Sequence, residues 1–202
     1  MPLRPSHSAS HERVRAFIAV ELDDDVKRAL RPAMAKLQER HARADVRWVP
    51  ESNWHLTVKF LGDVPWLEIG RIGTALQELA AETPAFELEV KGLGAFPPDR
   101  SPRIVAAGIG RGAEELAAFH ARLEARMAAL GYPPENRGFK AHLTLGRVRG
   151  RRGNEMLWEN LAARGAQAFG ESPVEKAVLY QSELESRGAR YTALATGRFK
   201  LV

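Results

Sequence analysis

The chain has 202 residues, of which 45% are hydrophobic and 27% charged. That is enough for a domain core, and the balance excludes wholesale disorder and fibrous repeats. No apolar run approaches the roughly 20 residues of a bilayer span, and the polar residues 1–13 lack the apolar segment of a signal peptide. There are no cysteines, which removes disulfides, thiolate zinc sites and cysteine nucleophiles together; a reducing cytoplasm is the expected setting. Thirty Lys and Arg against 25 Asp and Glu give a net charge of +5, a balance that favours an anionic partner such as RNA or a nucleotide.

Residues 1–13 read as a loose arm and 14–202 as one domain. Residues 14–21 read as a strand. Asp23, Asp24 and Asp25 then offer an N-cap and first-turn charge for a helix to about residue 41. Its stripe is Val26, Leu30, Met34 and Leu37, with Pro32 marking a bend or a late start. Strands follow at 45–49 and 54–61 around the turn Pro50-Glu51-Ser52-Asn53, the second stopped by Gly62-Asp63. A helix over 65–82 carries Ile69, Ile72, Leu76 and Leu79, and 86–93 reads as a strand before a Gly- and Pro-rich loop.

The second half repeats this plan. It has a strand at 103–109, then a helix over 113–130 with Gly131 as its C′ residue. A strand at 139–148 and a short helix at 155–164 come next, and a hairpin of 174–184 and 190–196 closes the chain.

Two segments stand out, His55-Leu56-Thr57-Val58 and His142-Leu143-Thr144-Leu145. With six His and six Thr in 202 positions, chance alone gives about 0.2 His-x-Thr triplets. Two occur, both on expected strands and 87 residues apart. Strand alternation puts His55 and Thr57 on one face and Leu56, Val58 and Phe60 on the other. It likewise sets Lys140, His142 and Thr144 against Leu143 and Leu145. Two such faces across a cleft would bring together two imidazoles and two hydroxyls. Imidazole titrates near neutrality, so one can accept a proton while the other donates, and the hydroxyls donate to a central anion. That set suits phosphodiester cleavage without a metal or other cofactor.

These residues carry a resemblance. Together with Arg15-Ala-Phe17, Arg47-Trp48, Gly94-Ala-Phe96-Pro97, Arg147, Tyr180-Gln-Ser182 and Tyr191, the two His-x-Thr elements make the chain resemble the 2H phosphoesterase superfamily. Within it, the likeness is to the RNA 2′,3′-cyclic phosphodiesterases once called 2′-5′ RNA ligases. It spans Arg15 to Tyr191, and it departs from the family pattern at Ala106, Ala107 and Ala141. The resemblance implies an α+β, bilobal fold with antiparallel sheets flanking a central cleft, and a monomer that meets RNA and no membrane. It implies His55 and His142 as catalytic residues and Thr57 and Thr144 as substrate-binding, in a reaction that opens a 2′,3′-cyclic phosphate to a 2′-phosphate. Action on 2′-5′ linked oligonucleotides, ligation, or RNA-end binding without turnover are the rival readings.

Arg147 and Phe17 are further substrate-binding candidates, the first for phosphate and the second for a stacked base, with Trp48 and Phe96 behind Phe17. Arg147 has the wrong parity to face the cleft with His142 and Thr144, so a ladder irregularity around Gly146 is required. Lys59 has the parity to face the cleft. Arg149, Arg151 and Arg152 form a basic run after the second motif. Gly108-Ile-Gly110-Arg-Gly112 reads as a tight turn and not a dinucleotide fingerprint, because the spacing is wrong. His7, His11, His41 and His120 read as incidental.

Overall fold

A computed structural model describes residues 12–96, 102–135, 138–150, 154–186 and 188–201. The arm expected over 1–13 lies outside these residues except for Glu12 and Arg13, and Arg13 already opens a strand. Arg151 and Arg152 of the basic run, and His7 and His11, also lie outside.

In chain order the elements are β1 (Arg13–Glu21), α1 (Asp24–Arg40), β2 (Val46–Trp48), β3 (His55–Pro65), α2 (Ile69–Ala81), β4 (Phe86–Phe96), β5 (Ile104–Ile109), α3 (Ala113–Ala129), β6 (His142–Val148), α4 (Glu155–Ala162), β7 (Ala168–Val174), β8 (Lys176–Glu185) and β9 (Gly188–Arg198). They form two antiparallel sheets, β3-β1-β8-β9 and β2-β6-β5-β4-β7. The expected bilobal α+β fold is what is found.

The lobes are not successive halves of the chain. α1 leaves β1 of the first sheet yet packs on β7 of the second, while α3 leaves β5 of the second sheet and packs on β3 of the first. The short β2 joins the second sheet and the last hairpin the first. One hydrophobic core is continuous across both, from Val14 and Ile18 through Leu76 and Leu79 to Leu143 and Leu145.

α1 starts where the acidic run placed it. The Asp23 side chain accepts the Asp25 N–H at 2.7 Å, and the helix passes through Pro32 without a late start. The Gly108–Gly112 segment is the tight turn expected. Gly112 has φ +81°, and a Cβ there would stand 2.1 Å from the Glu87 carbonyl oxygen, so only glycine fits.

Several boundaries differ from the expectation. β3 continues past Gly62, whose φ of +73° accommodates a bend in the strand instead of stopping it. β7 has no counterpart among the expected elements: Gly170, Ser172 and Pro173 weaken its strand signature, and it is held as an edge strand by pairing with β4. The strand expected at 174–184 therefore merges the end of β7 with β8. β6 begins at His142, leaving Phe139 and Lys140 in the preceding loop.

Candidate functional site

Both motif histidines are the opening residues of their strands, and each is fixed in the same way. His55 Nδ1 lies 2.9 Å from the Asn53 carbonyl oxygen and His142 Nδ1 lies 2.7 Å from that of Lys140. A carbonyl only accepts, so Nδ1 carries the proton in each ring and Nε2 is left for chemistry. His55 Nε2 lies 3.1 Å from the Thr57 hydroxyl oxygen.

Each ring is also backed by a phenyl group. Phe17 stacks on His55 with centroids 4.9 Å apart, and Phe96 lies parallel to His142 at 5.9 Å. Phe17 is 3% exposed and packs on Tyr180 and Tyr191 as well as His55. No open face remains for a base, so the stacking role expected of Phe17 becomes one of seating the imidazole. Phe96 does the same for His142, with the Lys140 ammonium 5.2 Å from its ring centroid.

His55, Thr57, His142 and Thr144 all line one cavity of about 380 Å³, together with Arg147 and Tyr191. The convergence inferred from the two motifs is thus present. Burial pushes the His55 pKa down to about 4; the bond to Asn53 opposes this and the Arg147 guanidinium adds to it. The ring is therefore neutral at neutral pH.

Simple alternation fails in both motif strands, and in the same way. Along β1, Ile18 pairs with Lys59 and Ala19 with Thr57, so Val58 is passed over. Along β5, Val105 pairs with Gly146 and Ala106 with Thr144, so Leu145 is passed over. Each bulge inverts the parity of the residues after it. Arg147 accordingly turns into the cavity, as the irregularity expected near Gly146 requires. Phe60, expected on the buried face, is 51% exposed and lines the same cavity.

Lys59 goes the other way. At 1% exposure it sits in the core, its ammonium 2.9 and 3.0 Å from the Glu124 carboxylate oxygens and 3.1 Å from the Pro133 carbonyl. It is not a cleft residue.

His120 is not incidental. Its Nδ1 donates to the Val58 carbonyl at 2.8 Å, its ring stacks on Phe139 at 4.2 Å, and it lines the cavity. Only its place on α3 was legible, since nothing in a helical stripe announces a contact with a distant strand. Tyr191 meets His55 edge-on at 5.2 Å. Among the described residues no three His, Asp or Glu side chains gather as a metal site would require, and no helix is long and apolar enough to cross a membrane.

Two anchored imidazoles, each with a threonine two residues on and both facing one cavity between antiparallel sheets, define a two-histidine phosphoesterase. The family described as LigT-like phosphoesterase matches residues 20–106 and 109–191, and the chain belongs to it. It is 32% identical over 188 residues to the RNA 2′,3′-cyclic phosphodiesterase of Methanothermobacter thermautotrophicus, covering 92% of this chain and 99% of that one. Identity to the protein of the same name from Aeropyrum pernix is 35% over 164 residues, 80% of this chain and 92% of the other. Among solved structures, TT0787 of Thermus thermophilus superposes with a TM-score of 0.74 at 29% identity, over 92% of this chain and 97% of that one. E. coli LigT complexed with 3′-AMP reaches the same TM-score at 22% identity, over 94% and 99%, and shares the fold.

Proposed function

We propose that this chain is an RNA 2′,3′-cyclic phosphodiesterase, a hydrolase that opens a terminal 2′,3′-cyclic phosphate and leaves a 2′-phosphate. The carrying observation is the pair of Nδ1-anchored imidazoles facing one cavity beside two threonine hydroxyls. The names of the relatives support the reaction.

One imidazole takes a proton from water as its oxygen attacks phosphorus. The other gives a proton to the 3′ oxygen as the P–O3′ bond breaks, so the pair ends with its proton relocated and one water consumed. Burial holds His55 neutral with Nε2 unprotonated, so His55 is the ring that takes the proton, and His142 gives one from Nε2 when it carries a proton on both ring nitrogens. Thr57 and Thr144 donate to the non-bridging oxygens, and Arg147 balances their charge as it grows. Phe17 and Phe96 hold the rings in place.

No metal enters this scheme, so turnover is expected to be unchanged by a chelator. A rate abolished by chelation and restored by one divalent metal would reject it. The deciding assay compares an oligoribonucleotide ending in a 2′,3′-cyclic phosphate with a 2′-5′ linked one. Faster turnover of the first is expected; preference for the second, or binding of either without turnover, would overturn the reading. We assign the chain to the cytoplasm, a reducing setting with which its lack of cysteine agrees, and read it as a monomer, which a light-scattering mass of 22.4 kDa would check.

A further inference from the structure

Alternation along β1 puts Phe17, Ala19 and Glu21 on one face, and the antiparallel register sets Ala19 opposite Thr57 and Glu21 opposite His55. Directly opposed residues of neighbouring strands share a face, with Cβ atoms about 4.5–5.5 Å apart. The Glu21 side chain therefore stands beside the imidazole on the motif face. In the matching place opposite His142 stands Gly108, so a carboxylate accompanies one histidine of the pair and not the other. Both oxygens of this carboxylate are held. Tyr180 donates its hydroxyl proton to Oε1 at 2.6 Å, and the Lys176 ammonium lies 2.6 Å from Oε2. Partial burial pushes the Glu21 pKa up, but the bonds from Lys176 and Tyr180 outweigh it and hold the group below its ordinary value, so it is ionised at neutral pH. Tyr180 also leads back to the histidine: its ring stacks on Phe17 at 5.4 Å, and Phe17 stacks on His55 at 4.9 Å. Glu21 itself does not line the cavity.

We propose that Glu21 is a positioning residue for the base His55: its negative charge stabilises the imidazolium that forms as His55 takes the proton, and its bond to Tyr180 moors the aromatic stack that seats the ring. The inference rests on the proposed function and deepens it by giving the proton-accepting histidine an electrostatic partner. His55 needs one. Burial opposes a charge on the ring, the Arg147 guanidinium adds to this, and Nδ1 donates only to a neutral carbonyl. A ring held neutral so firmly is a weak base, and a nearby anion favours its charged form. Among the described residues, Glu21 is the carboxylate that acts on it. The other polar groups facing His55 are Thr57 on its own strand, Tyr191 from β9, and Arg147 and His142 from β6. Those facing Glu21 are Lys176 and Tyr180 of β8 and Lys27 of α1. As a cation on Oε2, Lys176 tempers the effect of Glu21 at the ring, so removing Lys176 acts on His55 in the opposite sense to removing Glu21.

The test uses the whole protein with Glu21→Gln, which removes the charge and keeps an acceptor for Tyr180, and Lys176→Gln, which removes the tempering cation. Two readouts are taken: the titration of the His55 ring by NMR without substrate, and kcat and KM for an oligoribonucleotide ending in a 2′,3′-cyclic phosphate. Relative to wild type, Glu21→Gln is expected to move the His55 titration down by about 0.5–1 pH unit, and Lys176→Gln to move it up by a smaller amount. At neutral pH, Glu21→Gln is expected to lower kcat about two- to fivefold with KM unchanged, because Glu21 does not line the cavity. A His55 titration that neither variant moves, or that both move the same way, would overturn the inference, as would an unchanged kcat or a loss confined to KM. Should Glu21→Gln not fold, the upward shift in Lys176→Gln carries the test alone. Opposite shifts in a protein that turns over no cyclic substrate would uphold the pairing of Glu21 with His55 and sink the hydrolase, whereas turnover with unmoved titrations would do the reverse.

Discussion

Val58 and Leu145 correspond to one another across the cleft: each is the third residue after its motif histidine, and each is the residue its neighbouring strand passes over. Their carbonyls are both taken up. That of Val58 accepts from the His120 ring, and that of Leu145 accepts the Val49 N–H at 2.9 Å. The consequence lies two residues further on, where Phe60 in one strand and Arg147 in the other are turned into the cavity. The same irregularity thus adds an apolar side chain from one strand and a cation from the other to the lining of the cavity.

His120 is accordingly a positioning residue. Removing its donor in His120→Ala leaves the bulge carbonyl of Val58 unpaired beside Thr57 and His55. A net hydrogen bond of about 1 kcal/mol corresponds to roughly fivefold, and displaced catalytic groups cost more. We expect kcat to fall about five- to tenfold with KM little changed, and His120→Gln, which keeps an N–H, to recover most of it. A loss confined to KM would contradict the positioning role.

The two catalytic candidates are expected to behave as a unit. His55→Ala and His142→Ala should each lower kcat by about 10² to 10⁴, and the double variant should lose little more than the worse single one. Oligonucleotide affinity, measured by anisotropy, should survive all three. Single-turnover assays on a cyclic-phosphate end check this; a residual rate near wild type in either single variant would remove that histidine from the reaction.

Much of this site was legible in the chain itself. The two His-x-Thr triplets located four side chains that line one cavity, because period-two alternation holds over the three residues from His to Thr. Beyond Thr57 and Thr144 alternation misleads, since a bulge is set by what the neighbouring strand presents and not by the bulged strand's own sequence. Lys59 and Phe60 therefore exchanged faces relative to expectation, while Gly146 gave a local hint that rescued Arg147. The exchange of α1 and α3 between the sheets left no trace in the helical stripes of Val26, Leu30 and Leu37 or Leu116 and Leu123, which specify a buried face but not the partner that buries it.

The buried imidazole makes stability depend on pH. Above pH 6.5, the ordinary imidazole value, His55 is neutral in both folded and unfolded chains and contributes nothing. Below that, the unfolded chain takes up a proton that the folded one refuses until about pH 4, so stability falls as pH falls through this window. The pKa difference corresponds to roughly 3 kcal/mol at about 1.36 kcal/mol per unit. Burial also lowers the His41 pKa, but that effect is common to wild type and variant. Urea unfolding of His55→Asn from about pH 7 to pH 4 should therefore show a shallower decline than wild type, by roughly that amount; parallel curves would show that His55 is not held neutral.

Lys59 and Glu124 form a charge pair whose worth is conditional. The Lys59 side chain is fully buried and that of Glu124 is 11% exposed, and the ammonium also donates to Pro133 in the loop leading to Gly138 and Phe139 of the cavity wall. Taking two charges out of water is costly, and their attraction roughly repays it. Deleting one partner leaves the other charge buried and alone, so Lys59→Met and Glu124→Leu should each destabilise by about 3–5 kcal/mol. The double variant removes both charges and should be markedly more stable than the sum of the single losses predicts. It should still lower kcat, because the loop loses its tie at Pro133. Denaturant midpoints for the four proteins close the cycle, and strictly additive losses would mean that the two side chains do not act on one another.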